Sequence, residues 1–555
     1  MPSKRVCIIG AGAAGLTGIK ACLEEDLEPV CFERTNSIGG LWNYSEKEVE
    51  DGQGCVMKST VINTSKEMMC YSDYPIPGDF PNYMHNTKLM EYFHMYANHF
   101  DLKKHIKFHH EILSVKKSKS FEKDGKWNVK VKNLQADSET ELIFDAVLLC
   151  TGHHAKRFSP KFKGQEKFKG KILHSHQYKH PRGYEDSKVV IVGIGNSGGD
   201  IAVELGRISK QVYLSTRRGT WVLNRVGTNG IPGDIEVTRR VFAQIQKYAP
   251  ASMMNNIAEN IVEKRLNHEA YGLRPKHRLF QQHPMVNDDL ANRLICGSVI
   301  IKPDIEEIQE NGLKFEDGTV VEADVIIMAT GYTFGFPFLE NGVINVENNK
   351  VNLFKYAFPP DLSHPTIAVI GCIQPLGAIN PIAELQTRWA ARVFNGSTKL
   401  PSKAAMWENI REKQAAMAKR YFNSQRHTIQ VDWIPFMDEV AEQFGCKPNL
   451  KSLFLTDPYL AMNVFFGPCS PYQFRLFGPG KWKGARNAIL TQMDRVKQAT
   501  KTRKCHTESS NSLFLKLIIL VVDMPCGIIV QKVLSHLKRD VVTQQVNFYI
   551  GSQNK

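Results

Sequence analysis

Val189-Val190-Ile191-Val192-Gly193-Ile194-Gly195-Asn196-Ser197-Gly198-Gly199 lies near the middle of the 555-residue chain and decides how the rest is read. Its apolar run followed by glycine reads as a buried parallel strand that turns sharply and opens a helix, here over Asp200–Gly206. Gly193, Gly195 and Gly198 have the G-x-G-x-x-G spacing, with Asn196, Ser197 and Gly199 in the same turn. Such a turn brings backbone N–H groups and a helix N-terminus to a pyrophosphate. Alone it is a phosphate loop of modest specificity. A second copy, Val6–Gly15, stands at the N-terminus, with Gly10, Gly12 and Gly15 separated by Ala11, Ala13 and Ala14. Two loops predict two dinucleotides. They also predict an α/β fold of two nested Rossmann-like dinucleotide-binding domains, with a helical insertion and a C-terminal hydrophobic tail.

The two copies differ in the residues downstream of them. After the first loop come a helix over Leu16–Glu25 and a strand over Pro29–Phe32, which ends at Glu33, 18 residues past Gly15. A carboxylate there accepts hydrogen bonds from a ribose diol. After the second loop, the strand Gln211–Leu214 ends in Ser215-Thr216-Arg217-Arg218. A carboxylate would repel a ribose 2′-phosphate, whereas a hydroxyl and a guanidinium bind it. The second nucleotide is therefore read as NADP, with Arg217 the first choice for the phosphate and Arg218 the second. An exposed basic strand end is the plainer account of both arginines.

Length points to two or three domains. The expected division is a dinucleotide domain over 1–155, the second such domain over 156–324 with an insertion at about 222–299, a return to the first over 325–500, a linker at 501–512 and a tail at 513–555. The near-twin stretches Asp145–Thr151 and Asp324–Tyr332, each an apolar strand running into Thr-Gly, flank the middle segment as an inserted domain requires. A net charge of +15 favours an anionic partner such as a membrane surface or a polyphosphate cofactor. No nucleic-acid motif accompanies it, so no nucleic-acid partner is expected. The 12 cysteines are irregularly spaced and suggest neither a metal site nor a disulfide framework. Cys7, Cys22 and Cys31 fall in apolar patterns and read as core.

Three further stretches carry chemistry. Gly39-Gly40-Leu41-Trp42 reads either as backbone packed against a flat ligand or as a turn with a buried tryptophan. Asn63, followed by Thr64, offers a donor and an acceptor in a polar loop, where an asparagine is most simply a turn residue. Phe168-Lys169-Gly170-Lys171-Ile172-Leu173-His174-Ser175-His176-Gln177-Tyr178 precedes the second loop; His174 there is either a base or a structural bridge between domains.

With these stretches in place, the chain resembles the vertebrate flavin-containing monooxygenases from about Arg5 to Thr500. Phe168–Tyr178 matches that family's identifying pattern F-x-G-x-x-x-H-x-x-x-[YF], and Gly39–Trp42 its G-G-x-W segment. Val61–Cys70, Ser215–Gly219, Lys276-His277-Arg278 and Ser424–Thr428 are most similar to the fifth mammalian form. The resemblance implies FAD at the first loop, held by Gly10–Gly15, Glu33, Gly40, Leu41, Trp42, Asn63 and Gln374. It implies NADPH at the second, held by Asn63, Thr64, Gly193, Gly195–Gly199, Arg217 and Arg218. It further implies that NADPH reduces FAD, that O2 adds at flavin C4a, and that the resulting hydroperoxide oxygenates a soft nitrogen or sulfur centre of a small lipophilic xenobiotic. Asn63 matches the family's critical asparagine and is the one residue given a catalytic part; no metal is implied. Closeness to the fifth form adds Baeyer–Villiger oxidation of ketones as an alternative. The dedicated Baeyer–Villiger family carries Trp where this chain has Tyr178.

Other readings remain open: an NADPH oxidase releasing H2O2, a disulfide reductase (which lacks its C-x-x-C here) or a cofactor-binding scaffold. The resemblance places the protein on the cytosolic face of the endoplasmic reticulum membrane and leaves a homo-oligomer open. The tail departs from the family's apolar anchor. Leu513–Leu534 is apolar but is interrupted by Lys516, Asp523 and Pro525, so spanning is marginal and association through the tail is expected at the interface as much as across it.

Overall fold

The computed structural model describes residues 3–154, 156–421 and 428–503. The tail, most of the linker and most of Ser424–Thr428 lie outside them. Among the described residues no helix is long and apolar enough to cross a membrane.

Each loop sits in its own five-stranded sheet, paired parallel throughout. The first has the order Ile367–Val369, Ala146–Leu149, Arg5–Ile9, Glu28–Glu33, Ile106–Phe108. The second has the order Val299–Lys302, Gln211–Ser215, Lys188–Val192, Val325–Met328, Lys171–His174. The central strands are apolar on both faces because helices or other layers cover both faces of a parallel sheet. Val6, Cys7, Ile8 and Val189, Val190, Ile191 are accordingly shut from solvent. Cys22 and Cys31 are buried as well.

Both halves share one plan. Loop, helix and second strand lead through a long excursion to another strand, then a three-stranded antiparallel meander, then the strand that runs into Thr-Gly. The meanders are His110–Phe144 and Ile305–Glu322. The excursion of the second half carries the helices Arg240–Tyr248 and Ala251–Glu263.

Helices begin inside the glycine loops rather than after them. The first runs over Ala13–Glu24 with Gly12 as N-cap, and the second over Asn196–Leu205 with Gly195 as N-cap. The expected starts at Leu16 and Asp200 are thus early turns of these helices, because the last loop residues supply the first helical turn. Phe168–Tyr178 is an edge strand, Lys171–His174, followed by a turn.

The last third closes the first half. The Asn380–Asn395 helix packs on Ala13–Glu24. Beneath them, buried Arg475 donates to Glu384 at 2.8 Å and to Ser72 Oγ at 2.7 Å, and pairs with Asp73 at 2.8 Å. Lys20 pairs with Asp73 from the other side, also at 2.8 Å. Burial alone would raise the Asp73 carboxyl; Arg475 and Lys20 outweigh it and hold it below its ordinary value. Removing one partner from such a network leaves a buried charge uncompensated, at about 3–5 kcal/mol.

Candidate active site

The two loops are superimposable in their chemistry. Gly10 and Gly193 have φ of 96° and 106°, which a side chain would strain. A Cβ on Gly15 would lie 1.9 Å from the Gly10 carbonyl oxygen, and one on Gly198 2.0 Å from that of Gly193. Only glycine allows strand and helix to approach this closely. Neither helix has a side-chain cap or an acidic residue in its first turn, so the N-terminal N–H groups remain for an anion.

Both loops open on one cavity of about 1860 Å³. A single small-molecule pocket spans roughly 300–1,000 Å³, so this space suits two ligands meeting. From the first half, Gly10, Gly12, Ala13, Ala14, Glu33, Gly40, Leu41, Trp42, Asn63, Thr64 and Gln374 reach it; from the second, Gly195, Asn196 and Ser197 do. Ala11 and Gly15 act from behind: the Ala11 N–H donates to Glu33 Oε2 at 2.8 Å, and Gly15 packs the helix. Gly193, Gly198 and Gly199 likewise shape the second turn without lining the cavity. Gly199 lies against Met285, where a Cβ would be 2.3 Å from the sulfur. Arg217 and Arg218 stand exposed past the end of the Gln211–Ser215 strand and are not brought to the cavity wall.

The fit to a flavin dinucleotide rests on several features. Glu33 is buried beside the first loop, its Oε1 taking the Thr35 N–H and hydroxyl at 2.9 and 2.8 Å. Next to it, Arg34 lines the cavity with a buried Nη2 that has no partner. Gly39 and Gly40 are folded over the loop, with the Gly39 N–H donating to the Ala11 carbonyl at 2.9 Å.

Asn63 is held by residues far along the chain. Arg225 Nη2 donates to Asn63 Oδ1 at 2.6 Å, its Nε donates to the Ile62 carbonyl at 3.3 Å, and its Nη1 pairs with Asp288 at 3.0 Å. A guanidinium only donates, so the amide must turn its oxygen to Arg225 and keep its NH2 as a donor. Two residues on, the Ser65 N–H donates to half-buried Asp234 at 2.6 Å. Burial raises the Asp234 carboxyl, though hydrogen bonds from Ser65 and Tyr83 oppose the shift. Asp200, also on the cavity wall, is pushed up to about 6 by burial, against Arg225 and Asn287. Sequence reasoning missed Arg225, Asp234 and Asp288; no local pattern marks them.

Phe168–Tyr178 fastens the halves together. His174 Nδ1 accepts the His176 N–H at 3.1 Å, so Nε2 carries the proton and faces the Gly331 carbonyl at 3.1 Å. Burial holds this imidazole down at about 4, keeping it neutral. Both ring nitrogens are engaged with backbone, which is the structural alternative rather than the base. His176 Nε2 meets the Gln53 carbonyl at 2.7 Å, and Gln177 donates to Glu48 at 2.8 Å. Tyr178 is buried and donates to Glu204 at 2.7 Å.

Residues 3–533 match the flavin-binding monooxygenase-like (FMO-like) family. The chain belongs to this family. It is 51% identical to mouse (Mus musculus) flavin-containing monooxygenase 5 over 94% of this chain and 98% of that protein. It is 47% identical to rat (Rattus norvegicus) dimethylaniline monooxygenase (N-oxide-forming) 2 over 91% and 95%. Among solved structures, S-allyl-L-cysteine S-oxygenase from Allium sativum aligns with a TM-score of 0.61 at 24% identity, covering 90% of this chain and 99% of that one. An oxidised steroid monooxygenase bound to NADP aligns with a TM-score of 0.58 at 16% identity, covering 80% and 97%. These two show the α/β fold alone. As a member of the flavin-binding monooxygenase-like family the protein is a flavoprotein oxidoreductase, and the expected flavin-dependent monooxygenase is borne out at that level.

Proposed function

We propose that this monooxygenase uses NADPH and O2 to oxygenate soft nitrogen or sulfur centres of small lipophilic xenobiotics. The observation that carries the reading is one cavity reached by both dinucleotide loops, with the Asn63 amide fixed by Arg225 on its wall. The bound flavin, once reduced, supplies the oxygen-transfer chemistry. The chain's residues bind and orient. The first loop, Glu33 and Arg34 hold FAD; Gly195–Ser197 receive the NADP pyrophosphate; Arg217 and Arg218 take its 2′-phosphate outside the cavity. Asn63 presents an N–H donor whose direction Arg225 sets.

Ketone oxidation is retained as the second reading on a specific observation. That reaction requires the oxygen-donating group to stay unprotonated, and the cavity's buried histidines are neutral near pH 7 and carry no imidazolium proton to give it. Burial holds His283 down at about 4 and lowers His153 further.

Attachment to the cytosolic face of the endoplasmic reticulum belongs to the same proposal. The exposed Ile245, Tyr248, Met253 and Ile261 on the insertion's helices, with Lys247 among them, suit an interfacial contact besides the tail. Sedimentation with microsomes after salt washing supports this; full release by salt overturns it.

Stopped-flow absorbance tests the reaction. NADPH-reduced protein is mixed with O2, alone and with a sulfide, an amine or a ketone. A long-lived species distinct from reduced and oxidised flavin, consumed faster by sulfide or amine, is expected. Consumption by ketone alone shifts the assignment to the second reading. Direct return to oxidised flavin with H2O2 leaves an NADPH oxidase.

A further inference from the structure

Cys55 stands apart from the other described cysteines. Cys7, Cys22, Cys31, Cys70 and Cys150 are buried among apolar groups, which pushes their thiols up. Cys55 instead lines the cofactor cavity on the 46–58 segment, where the first half is clasped to the turn after Lys171–His174. Lys179 Nζ donates to Cys55 Sγ at 3.0 Å, and in the thiol form Sγ donates to the His176 carbonyl at 3.2 Å. The Lys58 N–H donates to the Lys179 carbonyl at 2.8 Å and fixes the register of the clasp. The His176 ring is buried beside the sulfur. Its Nε2 is committed to Gln53, which leaves Nδ1 as the ring nitrogen available to the sulfur. An ammonium in contact and an uncommitted imidazole nitrogen are the surroundings that favour a thiolate. Burial works against the charged form here, but His176 and Lys179 outweigh it, so the thiol lies below its ordinary value.

We propose that Cys55 is a peroxide-sensitive modification site in the clasp between the two halves, its thiolate held by Lys179 and His176 and open to hydrogen peroxide through the cavity. The thiolate sulfur attacks one peroxide oxygen and the O–O bond breaks. Sulfur gives up two electrons and becomes the sulfenic acid; the departing hydroxide takes a proton from solvent and leaves as water. The oxidant is hydrogen peroxide added from outside, so the step does not depend on which substrate the protein oxygenates. Oxidation removes the negative partner of Lys179 and so acts on the clasp.

The test uses the purified full chain with its flavin bound. Brief treatment with H2O2 and a sulfenic-acid-trapping dione is followed by peptide mass spectrometry, with exposed Cys296 as the internal control. Cys55 is expected to be trapped at least ~10-fold faster than Cys296, in line with its larger thiolate fraction. Its alkylation by iodoacetamide should fall less steeply than that of Cys296 between pH 8.5 and about 6.5. Lys179→Met should slow trapping, Lys179→Arg should keep it, and Cys55→Ser should abolish it. Equal or faster trapping at Cys296, or parallel pH profiles for the two cysteines, overturns the proposal without recourse to any variant.

Discussion

The first and second glycine loops share their geometry and differ in what lies over them. The Gly10 N–H donates to the Phe32 carbonyl at 2.9 Å, and the Gly193 N–H to the Ser215 carbonyl at 3.0 Å. The strands that cross behind them return the same bonds: Cys150 N–H to Ile9 and Ala329 N–H to Val192, at 3.0 and 2.9 Å. Above Gly12, however, a Cβ would find Gly40 at 3.6 Å, whereas above Gly195 it would find nothing within 4 Å. The Gly39–Trp42 segment covers one loop and, among the described residues, has no counterpart over the other. A covered loop suits a nucleotide that stays, and an open one a nucleotide that arrives, gives up its hydride and leaves. One motif is thus set in two different surroundings by the chain downstream of it, not by the motif.

The comparison breaks most sharply at the third glycines. Gly15→Ala forces a methyl onto a backbone carbonyl and should yield protein without bound flavin, read from its visible absorbance. Gly198→Ala makes the same clash in the other half. It should retain flavin but lose NADPH-driven flavin reduction by ~100-fold or more, a barrier increase near 3 kcal/mol. Loss of flavin from Gly198→Ala would dissolve the distinction between the loops.

Asn63 lies on the wall of the cavity that both loops reach. Asn63→Ala should leave reduction by NADPH nearly unchanged while substrate oxygenation falls ~100-fold and peroxide release rises, as when one oriented donor is lost. Arg225→Lys, which keeps the charge but loses the fork, should give a smaller fall in the same direction. Equal losses in reduction and oxygenation would place Asn63 in nucleotide binding alone.

The ribose ends supply the next contrast. Arg217→Glu should raise the KM for NADPH by ~10-fold or more and leave that for NADH nearly unchanged, since only the 2′-phosphate meets the reversed charge. An equal change for both would show that Arg217 has no part in choosing between them.

The smallest effect sharpens the clasp. His174 is at about 4 in the folded chain against an ordinary 6.5. Between these values the unfolded chain takes a proton that the folded site refuses, so stability falls as pH drops from 6.5 toward 4. His174→Gln should reduce this acid loss by up to about 3 kcal/mol, seen as a shallower dependence of Tm on pH. An unchanged slope would remove His174 from the acid response.

Much of this plan was legible in one dimension. The glycine spacings, Glu33 and the twin strand-Thr-Gly crossings all lie within short windows, because a phosphate loop is made by consecutive residues. The meanders His110–Phe144 and Ile305–Glu322 were not legible: their strands are partly exposed, and burial alternates weakly along most of them. Arg217 and Arg218 were legible as a basic pair at a strand end, expected to bind a 2′-phosphate, but not as residues outside the cavity. That placement depends on where the Gln211–Ser215 strand ends relative to the other half.

The order of residues alone determines that there are two dinucleotide loops, a consequence of local backbone sterics: glycine at fixed intervals permits the turn and the close helix. Tertiary structure decides that both loops face one cavity and that one is covered. It also decides that Asn63 takes its direction from Arg225, 162 positions away, and that Cys55 meets Lys179, 124 positions away. Those contacts arise only when the two sheets dock, and docking is governed by surfaces that no short window of sequence contains.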